Sequence, residues 1–157
     1  MAVRHQLVEY PPEQVWQVLA EPERYADWVV GVSGSEPRGN AWPQVGASLT
    51  YTLSLGPWTG KGRTVVRRSQ RPRFLELEAD SGPFGSARIA IEVRAWGDTE
   101  SLVIVDEHPL RGTAARLHNV VLDVLLQWRH RRMLGLLAKA VEETAQDEGG
   151  LPAPWPT

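Results

Sequence analysis

RLHNVVLDVLLQWRHRRMLGLLAKAVEE, residues Arg116 to Glu143, is the one long segment of this chain whose apolar residues keep a helical period. Leu122, Leu126, Arg129, Met133, Leu136, Leu137 and Ala140 follow one another mostly at steps of three and four, so they share a face. Arg129 is the charge on that stripe, while Asp123, His130, Arg131, Lys139 and Glu143 are expected to point elsewhere. In the first half Leu117, Val121, Val124 and Trp128 add a second apolar set. That half is therefore apolar almost all round, as expected of a helix covered by other structure. At 1.5 Å per residue the helix reaches roughly 40 Å, long enough to cross a small domain.

Upstream of it the pattern alternates, which predicts a sheet as the cover. Val3 to Tyr10 reads as a first strand, stopped by Pro11 and Pro12. Pro12 and Glu13 open a short helix whose buried face is Val15, Trp16, Val18 and Leu19, and a second short helix over Pro22 to Trp28 sets Tyr25 and Trp28 on one side. Val32 to Pro37 is a weak strand and Asn40 to Gly46 a loop. Further strands follow at Ala47 to Leu55, Trp58 to Ser69, Phe74 to Asp80, Ser86 to Trp96 and Leu102 to Glu107. Their inward residues are Leu49, Tyr51, Leu53, Leu75, Leu77, Ala87, Ile89, Ile91 and Val93. Gly60 and Gly62 suggest a bulge or bend, and Pro109 and Gly112 are expected to end the sheet. The last strand is apolar on both faces, as if it touched material on each side.

The 157 residues, 42% of them hydrophobic, suit one domain over residues 1–148, with a flexible tail over 149–157. A net charge of −2 removes any global basic field, so neither nucleic acid nor an anionic membrane is an expected partner. With no cysteine, disulfides, thiolate catalysis and zinc–cysteine sites fall away. No apolar run nears a membrane span or a signal peptide, which predicts a cytoplasmic protein.

The order of strand, two short helices, six strands and one long helix is the helix-grip order: an α+β fold in which a curved antiparallel sheet of about seven strands wraps a C-terminal helix. The opening Pro12-Glu13-Gln14-Val15-Trp16-Gln17-Val18-Leu19-Ala20-Glu21-Pro22-Glu23-Arg24-Tyr25-Ala26-Asp27-Trp28 resembles the start of the SRPBCC superfamily, the START and Bet v 1-like group that contains polyketide cyclases and lipid-transfer proteins. So does Glu107-His108-Pro109-Leu110-Arg111-Gly112 before the helix. The resemblance spans roughly residues 3–145. It implies a cavity between helix and sheet, but catalysts, carriers and binding proteins share that scaffold.

No catalytic motif is visible, catalytic residues are unassigned, and neither a cofactor nor a metal is expected, since His5, His108, His118 and His130 lack ligand spacing. His130 reads as a surface or hydrogen-bonded histidine. Arg129 on the apolar stripe needs an acid, an anionic ligand or a route to water. In the last strand Val103, Val105 and Glu107 share one side and Leu102, Ile104, Asp106 and His108 the other, so either Glu107 or His108 looks toward the helix; Glu107 is favoured. The expected ligand site is Tyr51, Leu53, Leu77, Ile91, Glu107, Leu126, Arg129 and Met133, with Trp28 and Trp58 nearer its mouth. The expected function is binding or transport of a small hydrophobic, lipid- or polyketide-like molecule by a monomer or homodimer. The alternative is a polyketide cyclase, aromatase or dehydratase using Glu107, His108 or Tyr51 as acid or base. A protein-interaction module is a third class, which would show an exposed apolar patch.

Overall fold

The computed structural model describes residues 2–55, 57–82, 85–111 and 120–149. Strand β1 (Ala2–Val8) leads into helix α1 (Pro12–Leu19), a 3-10 turn (Pro22–Arg24) and the single-turn helix α2 (Tyr25–Trp28). Six strands follow: β2 (Val32–Arg38), β3 (Ser48–Leu55), β4 (Trp58–Gln70), β5 (Phe74–Asp80), β6 (Ser86–Trp96) and β7 (Glu100–Arg111). Helix α3 (Val120–Gly149) is the last element among the described residues. All neighbouring strands are antiparallel, in the order β1-β7-β6-β5-β4-β3-β2. This is the helix-grip arrangement: sequential hairpins from β2 to β7, with β1 added on the far side of β7.

Period-two alternation does what it should. Leu49, Tyr51, Leu75, Leu77, Ile89, Ile91, Val93, Val103 and Val105 are buried on the concave side, while Arg88 and Arg94 are exposed on the other. Helix α1 starts with Pro12 at its first turn and buries Val15, Trp16, Val18 and Leu19, the set its spacing predicts. The core gathers these residues with Tyr25, Trp28, Met133, Leu134, Leu137, Ala140 and Val141. Each large apolar side chain so buried contributes roughly 1.5–3 kcal/mol relative to exposure.

Several expectations are corrected. Pro109 does not end the sheet: β7 runs on to Arg111, with Pro109 opposite Ala87. The described part of β1 begins at Ala2, opposite Glu107, so among the described residues Pro109 has a partner strand on one side only, a setting in which sheets tolerate proline. The irregularity in β4 falls between Val66 and Arg68, not at Gly60 or Gly62, which keep regular register with Leu53 and Tyr51. Among the described residues no second layer covers the outer face of β7: Leu102 and Ile104 are half-buried beside the exposed Val3 and Leu7 of β1. Trp42, in a segment that reads as a loop, is buried, its Nε1–H donating to the Leu19 carbonyl at 3.1 Å. Helix α3 extends past Glu143 to Gly149. Its expected start at Arg116 and the tail beyond Gly149 lie outside the described residues.

Helix α3 is also rotated from the expected stripe. Leu134 and Val141 are buried, Leu136 is only half-buried, and His130 has no exposed surface. The expectation that His130 points away is therefore overturned.

Candidate functional site

At the edge of this core the alternation of β7 turns Glu107 inward, beside Ile89 on β6 and opposite Ala2 on β1. From α3, Arg129 and His130 reach it together: Arg129 Nη1 and His130 Nε2 both donate to Glu107 Oε2, the histidine at 2.5 Å. His108 takes the opposite face and bonds Asp106 at 3.1 Å, which resolves the choice between the two in favour of Glu107. The Glu107 side chain is 8% exposed and that of His130 0%, whereas the Arg129 side chain keeps 26% of its surface. Burial on its own would raise the Glu107 pKa. The charge of Arg129, the hydrogen bond and charge of His130 and the bond from Arg129 outweigh it, holding the carboxyl below its usual range.

Among the described residues the histidine is held on one side only: with Nε2–H given to the carboxylate, Nδ1 is buried and has no hydrogen-bond partner there. When the ring carries its proton on Nε2 alone, Nδ1 is a hydrogen-bond acceptor.

Two phenols complete the polar end. Tyr25, set inward by α2, shares a hydrogen bond with Thr64 Oγ1 at 2.9 Å, and Tyr51 on β3 shares one with Ser81 Oγ at 2.5 Å. Their ring centroids lie 5.7 Å apart, tilted by 33°. Tyr25 also meets Trp28 edge-on at 5.4 Å and Trp42 at 6.5 Å. Burial pushes both phenols up, against the downward pull of their hydroxyl partners and of Arg129, whose charge reaches both. Hydrogen bonds thus join a carboxylate, an imidazole and a guanidinium, and the guanidinium charge reaches the two phenols.

Of the predicted site residues, Trp28, Tyr51, Leu77, Ile91 and Met133 come together in one buried cluster, Leu53 packs half-buried against it, and Glu107 and Arg129 pair. The side chains of Trp58 and Leu126 lie outside the described residues. Sequence reasoning missed His130, Tyr25, Thr64 and Ser81. The only signal for His130 was its spacing of three and four from Met133 and Leu134. A surface groove of about 510 Å³ between Pro11, Pro12, Pro72 and Val93 includes none of the predicted site residues. Among the described residues no three His, Cys, Asp or Glu side chains are grouped to hold a metal ion, and no helix is long and apolar enough to cross a membrane.

The fold and an inward polar cluster facing apolar residues define a helix-grip protein of the START and Bet v 1-like class. The model of the family described as "Polyketide cyclase / dehydrase and lipid transport" matches residues 2–142, and the chain belongs to that family. A search of curated proteins finds no matching sequence. Among solved structures, the Zhui aromatase/cyclase from a Streptomyces species superposes with a TM-score of 0.74 at 13% identity, covering 94% of this chain and 96% of that one. A START superfamily protein from Mycobacterium smegmatis gives 0.74 at 14% identity, covering 91% and 97%. The protein Ara h 8.0201 gives 0.70 at 11% identity, covering 90% and 97%. At such identities these likenesses bear on the fold alone. Family and fold together indicate hydrophobic-ligand binding or polyketide cyclase-type activity.

Proposed function

We propose that this protein binds a small, mostly apolar molecule between the concave sheet and α3, with the ligand's polar group directed at the Glu107, Arg129 and His130 cluster. The observation that carries this is the cluster's position. A charged triad facing Ile89, Met133 and Val105 is not needed for packing, since apolar residues of similar volume stabilise such a site at least as well. Trp28, Tyr51, Leu53, Leu77, Ile91 and Met133 supply the apolar wall. Native mass spectrometry of freshly purified protein, with titration of a hydrophobic fluorescent probe, tests it. A co-purifying ligand or saturable binding weakened by Leu53→Trp supports the proposal; no binding by the wild type counts against it.

A second reading, that the protein transforms its ligand as a cyclase, aromatase or dehydratase, is favoured by one feature: Glu107 orients the His130 imidazole, and Nδ1 has no partner among the described residues. In that role Nδ1 accepts a proton, Arg129 stabilises the developing oxyanion and Tyr51 donates. Glu107→Gln and His130→Gln should then abolish turnover of a poly-β-carbonyl compound while retaining its binding. Equal chemistry in wild type and variants would leave a binder or carrier.

A further inference from the structure

Gly62 lies directly beneath the Tyr51 ring. Register pairs Tyr51 with Gly62 across β3 and β4, and Arg63 with Asp80 across β4 and β5. The ring therefore crosses β4 at Gly62, and its hydroxyl meets Ser81 at 2.5 Å. A Cβ at position 62 would fall within 2.6 Å of the ring's Cζ, Oη and Cε2, a separation no real methyl group tolerates. By contrast, a Cβ at Gly34 or Gly135 would meet nothing within 4 Å. The Tyr51 ring thus rests on bare backbone, with Tyr25 alongside it.

We propose that Gly62 is a specificity-determining residue: by having no side chain it lets Tyr51 lie flat on the floor of the sheet, and so sets how large a ligand fits beneath α3. This rests on the ligand-binding function proposed above. With a methyl group at 62, the hydrogen-bonded strand is the stiffer partner and the ring is what moves. It can go only away from β4, toward the concave side where Tyr25 lies 5.7 Å away, taking volume from the proposed ligand space and pulling its hydroxyl off Ser81. Small ligands would still enter, and broad ones would be excluded.

The test compares wild type, Gly62→Ala, Gly62→Ala with Tyr51→Leu, and Gly62→Ala with Tyr51→Phe, using naphthol as the small probe and N-phenylnaphthylamine as the large one. Gly62→Ala should weaken binding of the large probe by about tenfold while leaving the small one nearly unchanged. Leucine lacks the three clashing atoms, so the Tyr51→Leu double variant should regain the large probe, whereas phenylalanine keeps Cζ and Cε2 and should not. An unchanged affinity ratio in Gly62→Ala overturns the inference. If Gly62→Ala does not fold, recovery of folding and large-probe binding with Tyr51→Leu supports the inference, and failure to recover overturns it. A wild type that binds neither probe overturns the ligand-binding function and this inference with it, whereas a wild type that binds with a ratio indifferent to position 62 overturns this inference alone.

Discussion

The two ends of the described part of α3 meet the rest of the molecule in different ways. From Met133 onward the helix inserts Leu134, Leu137, Ala140 and Val141 into a core shared with α1 and α2, and Arg24 ties the end down through Thr144. One turn earlier, Arg129 and His130 converge on a single carboxylate, and among the described residues one imidazole nitrogen is left unpaired. The first region needs only shape. The second holds charge and hydrogen-bonding capacity out of water, which is a poor way to gain stability and a useful way to hold a polar ligand group.

If that contrast is sound, truncation should affect the two ends differently. Leu137→Ala should have the largest effect on stability, about 2–5 kcal/mol by denaturant unfolding, with probe affinity unchanged in the folded fraction. A loss of affinity as large as that of the cluster variants would erase the distinction. Arg129→Met should cost about 1.5–3 kcal/mol, because Glu107 keeps its bond to His130. Adding Glu107→Gln should recover much of that loss, and strict additivity in the double-mutant cycle would mean that the two groups do not interact.

Acid should also find the polar end first. The Glu107 pKa is lower in the folded than in the unfolded state. Its stabilising contribution is therefore present above the ordinary carboxylate range and lost as pH falls through the depressed folded value. Unfolding midpoints measured from neutral to strongly acid pH should fall less steeply for Glu107→Gln than for wild type; parallel profiles would remove Glu107 from the account. The smallest effect belongs to a pair outside both regions. Arg71 and Glu13 bond at 2.9 Å with side chains 67% and 56% exposed, so Arg71→Ala should change stability by less than about 1 kcal/mol and leave binding alone.

Most of the fold was legible because period-two and period-3.6 patterns are set by burial, and burial here is simple. The same alternation turned Glu107 inward without help from the structure. The rotation of α3 was not legible: stripes through Arg129 or through His130 share Met133, Leu137 and Ala140, so apolar spacing does not choose between them. Burial of Leu134 and Val141, decided by what α1, α2 and β1 present, makes the choice. Gly62 is ambiguous for another reason. A glycine in a strand signals either a bulge or a close approach, and only the position of the Tyr51 ring distinguishes the two. Trp42 reads as loop because its burial depends on the Leu19 carbonyl, a partner that no local pattern announces.

The place of β1 has a kinetic consequence. Strands β2 to β7 pair with their sequence neighbours, so each hairpin closes a short loop, whereas Ala2 to Val8 must find partners in β7 about a hundred residues away. Helix α3 packs against β1 as well, so the last strand to join and the last helix to form complete each other. The meander is expected to appear first, and the Glu107, Arg129 and His130 cluster, lying at the β1–β7 seam, only when the chain's two ends meet. Pulse-labelled hydrogen exchange during refolding should then protect amides of β5 and β6 before those of β1, and simultaneous protection would show that the ends dock as the hairpins form. A ligand that needs that cluster can bind only to a chain that has already finished folding.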